Sequence, residues 1–213
     1  VRSTSKMSIQ LISCLQNDIF DKIVVQSNIT QKIMDNMHEE QIQNECLFLF
    51  YQYYDNVQYL ERDDVKFVIA SNLKSVPTQM FNNSTNLEIV WSPQAERIED
   101  SNSKCGAFQN ARLIHIYCPL LKYAGAFAFH GCNRLVVIEL AECLEMGECC
   151  FYDCCSLAVL NLESAIVIGR GAFWHCRSLK ILNMPNARII GPNCISCCES
   201  LESINCRLDS EFS

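Results

Sequence analysis

The chain has no run of basic residues, no long apolar stretch and no catalytic signature, and each gap removes a class of function. Lys and Arg number 17 against 24 Asp and Glu, for a formal charge of −7. Without a basic stripe to track a phosphate backbone, a nucleic acid partner is not expected. The same lack of Lys/Arg clusters argues against an anionic membrane surface. No segment approaches the roughly 18 unbroken apolar residues of a transmembrane helix. The most apolar N-terminal run, Cys46 to Tyr54, is far too short, so no membrane insertion is expected. The first residues also lack the basic, apolar, small-residue order of a secretory signal. Because the sequence opens at Val1, a cytoplasmic location is expected if it is complete, and a cell-surface one if a signal precedes it. A Cys–His catalyst needs a low-pKa thiolate beside an oriented imidazole. No motif surrounds any of the 4 histidines and nothing singles out one cysteine, so no enzymatic activity is expected.

What is present is apolar material and cysteine. Hydrophobic residues make up 49% of the chain, ample for a core. The 15 cysteines are odd in number, so complete internal pairing is impossible. Disulfide scaffolds are typically short and starved of core, and this chain is neither. The cysteines are therefore read as small, buried, reduced side chains.

A repeat organises them. Leu113, Leu135, Leu157, Leu179 and Leu201 recur every 22 residues. Three positions after each stand Ile116, Ile138, Leu160, Leu182 and Ile204, and two further on Cys118, Leu140, Leu162, Met184 and Cys206. The last two apolar positions share one face of a short strand. Ala124, Met146, Ile168 and Ile190 follow, each trailed by glycine: Gly125, Gly147, Gly169 and Gly191. A glycine at one fixed phase implies a turn with positive φ or a close backbone approach. Ahead of each leucine run a bulky column (Phe129, Phe151, Phe173, Ile195) and a cysteine column (Cys132, Cys154, Cys176, Cys198).

The period extends backward through Val65, Val68, Ala70, Leu73 and Val76, then Phe81, Leu87, Val90, Ala95 and Ile98. The step from Leu87 to Leu113 is four residues too long, which places a surface insertion at Glu99 to Lys104. About seven rungs result, each able to bury its apolar face only by stacking on its neighbours as a parallel sheet. The expected organisation is a helical N-terminal cap over 1–58, repeats over 59–206 and a tail over 207–213. In the cap, Ile9, Ile12, Leu15, Ile19, Phe20 and Ile23 follow a helical stripe, and a second helix runs from about Thr30 toward Cys46.

With these columns laid out, Gly125 to Cys206 resembles the BspA-type leucine-rich repeat. The stretch Ile168-Gly169-Arg170-Gly171-Ala172-Phe173-Trp174-His175-Cys176-Arg177-Ser178-Leu179 carries the resemblance, and Pro185 to Gly191 continues it. Ala107 in the aromatic place, Asn110 in the cysteine place and Arg207 in the proline place depart from it. The resemblance implies a right-handed α/β solenoid with a strand-lined concave face. It also implies relatives that are surface-exposed adhesion or recognition proteins, with no shared catalytic site.

Strand alternation turns two columns outward on that face. One is Phe67, Ile89, His115, Val137, Val159, Ile181 and Ser203. The other is Ile69, Trp91, Tyr117, Glu139, Asn161, Asn183 and Asn205. The face grades from aromatic to amide, and a protein partner is expected on it, anchored by Trp91, Tyr117 and His115. The competing reading is that branched and aromatic residues simply suit strands. His130 with Cys132, Cys150 with Cys154 and Cys155, His175 with Cys176, and Cys194 with Cys197 and Cys198 have the residue types of zinc ligands. Structural zinc needs four donors converging on a point, however, and a repeat column spreads them along a line. No metal or other cofactor is expected, while disulfides between rungs fit the permitted Cα range in an oxidising compartment. Sequons at Asn28, Asn82 and Asn83 would serve glycosylation only in a secreted chain. Two other functions remain as alternatives: a substrate-recruiting arm of a ubiquitin-ligase-like assembly, docked through Leu11 to Val24, and a self-associating surface coat.

Overall fold

In the computed structural model, residues 41–43, 46–48, 65–70, 72–101, 104–207 and 211–212 are described. The chain divides into two units, Val1–Glu39 and Glu40–Ser213, and the first lies outside the described residues. The strands in chain order are β1 Gln41–Gln43, β2 Cys46–Phe48, β3 Phe67–Ile69, β4 Ser75–Val76, β5 Ile89–Trp91, β6 Arg97–Ile98, β7 His115–Tyr117 and β8 Tyr123–Ala124. They continue as β9 Val137–Ile138, β10 Glu145–Met146, β11 Val159–Asn161, β12 Val167–Ile168, β13 Ile181–Met184, β14 Ile189–Ile190, β15 Ser203–Cys206 and β16 Glu211–Phe212.

These strands stack into a parallel β-solenoid of about six turns with a 22-residue period. The first side holds β2-β3-β5-β7-β9 and, after a break, β11-β13-β15; β1 joins its edge as an antiparallel partner of β2. The second side is a seven-stranded sheet from β4 to β16. This second sheet is an addition to the reading from sequence: the Ala124, Met146, Ile168 and Ile190 column ends a two-residue strand. The glycine that follows it is required by crowding. A Cβ at Gly147 would sit 2.3 Å from the Ala126 nitrogen, and one at Gly191 would sit 2.4 Å from the Arg170 nitrogen. Close approach of one rung to the last, not positive φ, fixes these glycines.

The third side is made of turns. Two left-handed residues bracket the bulky core residue in the later rungs: Cys149 (φ 52) and Asp153 (φ 59) about Phe151, Gly171 (φ 58) and His175 (φ 62) about Phe173, Asn193 (φ 58) and Cys197 (φ 59) about Ile195. This reversal aims the amides along the stack. Cys149, Phe151 and Asp153 donate to the carbonyls of Arg170, Ala172 and Trp174 in the next rung, at 2.8–2.9 Å. The turns thus gain a ladder of their own, which meets the demand that buried backbone groups be paired. Among the described residues there is no helix, so for them the expected α/β class is corrected to an all-β coil. Within the span expected as a second cap helix, Gln41–Gln43 form β1 and the residues before them lie outside the described ones, while β16 extends the second sheet into the stretch read as a tail. The first cap helix, with Leu11 to Val24, lies outside the described residues.

Inside, every column is a continuous stack. Leu113, Leu135, Leu157 and Leu179 are fully buried, as are Phe108, Phe129, Phe151 and Phe173. The phenyl rings, with Phe81, stack at centroid spacings of 5.3, 5.4, 4.9 and 6.0 Å. Phe108, not Ala107, therefore fills the aromatic place, and Ala111, not Asn110, takes the cysteine's. The Ala111 amide donates to the Phe108 carbonyl just as Cys132 donates to Phe129. The cysteine column is also a hydrogen-bonding one. Cys132, Cys154, Cys176 and Cys198 each point the thiol at the carbonyl of a phenylalanine one rung back, at 2.9–3.1 Å. A small side chain with a weak donor fits that slot.

Candidate binding face

In-register pairing assembles the outward columns of the first side. Phe67, Ile89, His115 and Val137 are successive partners, as are Ile69, Trp91 and Tyr117. After the break, Val159, Ile181 and Ser203 align, and so do Asn161, Asn183 and Asn205. Glu139 falls at the break itself, since β9 ends at Ile138. Pairing at one residue per rung forces like positions to touch. The Trp91 and Tyr117 rings lie 6.5 Å apart and nearly parallel, at 8°. The Asn205 amide donates to Asn183 Oδ1 at 2.6 Å.

The face is less uniformly open than alternation implies. Val159 is exposed and Phe67, Ile89, Trp91, Tyr117, Val137, Glu139, Ile181 and Asn183 are half-buried, with Asn161, Ser203 and Asn205 exposed. Ile69 and His115 are buried, at 7% and 6%. Burial holds the His115 imidazole below its ordinary pKa, opposed by a hydrogen bond with the Val137 backbone. Its Nδ1 has no hydrogen-bond partner. His115 is thus a neutral, packed ring rather than an exposed anchor.

The buried cysteines have the opposite of catalytic activation. Burial pushes the thiols of Cys118, Cys132, Cys150, Cys154 and Cys176 well up, and that of Cys143 to about 11. Such thiols stay protonated and unreactive. The His–Cys pairs with zinc-ligand residue types do not converge, because the thiols of Cys132 and Cys176 are aimed at core carbonyls. Among the described residues, no group of three or more His, Cys, Asp or Glu could hold a metal ion, and no helix is long and apolar enough to cross a membrane.

Sequence reasoning missed two other surfaces. On the second sheet, Leu144, Ile166 and Ile189 are exposed on successive rungs. On the turn side, the residues after Phe129, Phe151 and Phe173 are aromatic: His130, Tyr152 and Trp174, joined by Phe127 and His175 with ring centroids 4.8–6.0 Å apart. Their signal was the phase next to the phenylalanine column.

A family model described as the BspA type leucine rich repeat region matches residues 101–211 in six copies, more than half of the chain. Among solved structures, a leucine rich cell surface protein of Faecalibacterium prausnitzii is similar at 18% identity and a TM-score of 0.46. The match covers 78% of this chain and 37% of that one. The leucine rich repeat protein of T. pallidum is similar at 17% identity and a TM-score of 0.43, covering 78% of each chain. No curated protein matches.

Proposed function

The chain belongs to the BspA-type leucine-rich repeat family, and from that premise we propose that it is a non-catalytic recognition or adhesion module that binds a protein partner on its first strand face. That face is taken as the concave side of a right-handed coil. The observation that carries the reading is the Trp91–Tyr117 stack among apolar neighbours. Two large rings held by adjacent strands offer area at little entropic cost, which is how aromatic anchors dominate interfaces. The asparagine column downstream supplies a polar margin that can be satisfied by a partner's backbone. The test uses the full chain as bait. Trp91→Ala with Tyr117→Ala is expected to weaken capture of a wild-type partner by about 30-fold. Unchanged capture of every partner found by pull-down sinks the proposal.

A further inference from the structure

We propose that His115 is an acid-sensitive latch on the strand face. Neutral, it packs between Ile89 and Val137; protonated, it swings out, disturbs the Trp91–Tyr117 pair and releases the partner. The inference rests on the reading of that face as the binding surface. His115 pairs in register with Ile89 on one side and Val137 on the other, and is 6% exposed. It stands two residues before Tyr117 on β7 and on the same side of the strand, just as Ile89 stands before Trp91 on β5. The imidazole therefore fills the place beside both anchors, and its departure reaches both.

The packing suits one protonation state. Nδ1 is buried with no partner, and the ring's hydrogen bond is with the Val137 backbone. A neutral imidazole can leave one nitrogen bare, whereas the protonated ring carries a donor on each and needs two acceptors. The ionisable groups on the strands about it are Glu88 beside β5, Arg112 and Tyr117 with β7, and Arg134 and Glu139 beside β9. None of these holds the proton on the ring; burial disfavours it, and the Val137 backbone opposes burial. A cation in that slot has neither a carboxylate partner nor water, so protonation drives the ring outward. The charge then stands where the partner's apolar surface would lie, and the emptied slot no longer supports Tyr117.

Titration of the full wild-type chain by NMR, from about pH 7.5 to about pH 4.5, tests this. The His115 imidazole is expected to titrate below the ordinary histidine value, and the Trp91 indole N–H resonance to shift with the same midpoint. His115→Gln keeps a polar side chain that gains no proton, and should abolish the Trp91 transition, whereas His130→Gln should leave it. Should His115→Gln fail to fold, the coincidence of the two wild-type midpoints still decides. Capture of a partner by the wild-type face should weaken by up to about 10-fold per pH unit below the midpoint, and His115→Gln should remove that dependence. A His115 that titrates at or above the ordinary value overturns the proposal. So does a Trp91 signal indifferent to its titration, a transition that persists in His115→Gln, or capture by the face that ignores pH. The resonances need no partner, so they judge the latch even where Trp91→Ala with Tyr117→Ala leaves capture unchanged and the binding reading falls.

Discussion

The rungs through Phe129, Phe151 and Phe173 and the rung through Phe108 solve one packing problem with different lengths of chain. The first three phenylalanines are 22 residues apart, whereas Phe108 stands 27 after Phe81 and 21 before Phe129. The ring stack does not register the slip: the spacings on either side of Phe108 are 5.3 and 5.4 Å, within the range of the regular rungs. The surplus is taken up at one corner, by side chains. Asp100 Oδ1 accepts the Ala126 amide at 2.9 Å, its other oxygen accepts the Tyr123 hydroxyl, and Ser101 Oγ accepts the Cys105 amide at 2.8 Å. The irregular rung also loses the thiol, since Ala111 stands where the later rungs have cysteine. Position in space, not count along the chain, is what the core enforces.

Alkali should separate the two kinds of rung most strongly. Burial raises the folded pKa of Cys118, Cys132, Cys150 and Cys154 above the ordinary thiol value. The folded chain therefore keeps protons that the unfolded chain gives up. Stability is full below about pH 8.5 and falls as pH rises, by about 1.4 kcal/mol per thiol per unit. Denaturant midpoints between neutral and strongly alkaline pH measure this. Hydrogen exchange should show the rung of Cys150 and Cys154 loosening before the Phe108 rung, which holds one raised thiol, Cys118, and a uniform response would break the comparison.

Truncating the stack should instead make the two kinds of rung equal. Phe151→Ala and Phe108→Ala are each expected to cost about 3–5 kcal/mol in chemical unfolding. A much smaller loss at Phe108 would mean that the slipped rung is loosely packed. Asp100→Ala should cost about 1–2 kcal/mol and speed exchange of the Ala126 amide, with the rungs beyond Phe151 untouched. The smallest effect is a gain. Ala111→Cys supplies the missing thiol toward the Phe81 carbonyl and should stabilise by about 1 kcal/mol, read as a higher unfolding midpoint.

The coil was legible because identical interior positions must recur wherever identical rungs stack. The slip at Phe108 was not, since Ala107 keeps the count and only packing shows that its neighbour carries the ring. The second sheet escaped notice because a two-residue strand contributes a single core residue, too few for alternation to be seen. The turn conformations were hidden for a different reason: Cys149, Asp153 and His175 hold positive φ without being glycine. On the binding face, pairing brought Trp91 to Tyr117 as alternation predicts, but the burial of Ile69 and His115 depends on neighbours that periodicity within a rung does not reveal.

The amides of the turn side have one more consequence. Amides such as those of His130, Tyr152 and Trp174 bond within their own turn, but those of Phe127, Phe129, Gly131, Cys149, Phe151, Asp153, Gly171, Phe173 and His175 donate to the following rung. Their peptide dipoles therefore add along the axis, as those of an α-helix do. The turn side is polarised from end to end, with its positive pole toward Cys197 and its negative pole toward Gln79, and a charged side chain there is stabilised or destabilised according to which pole it sits near.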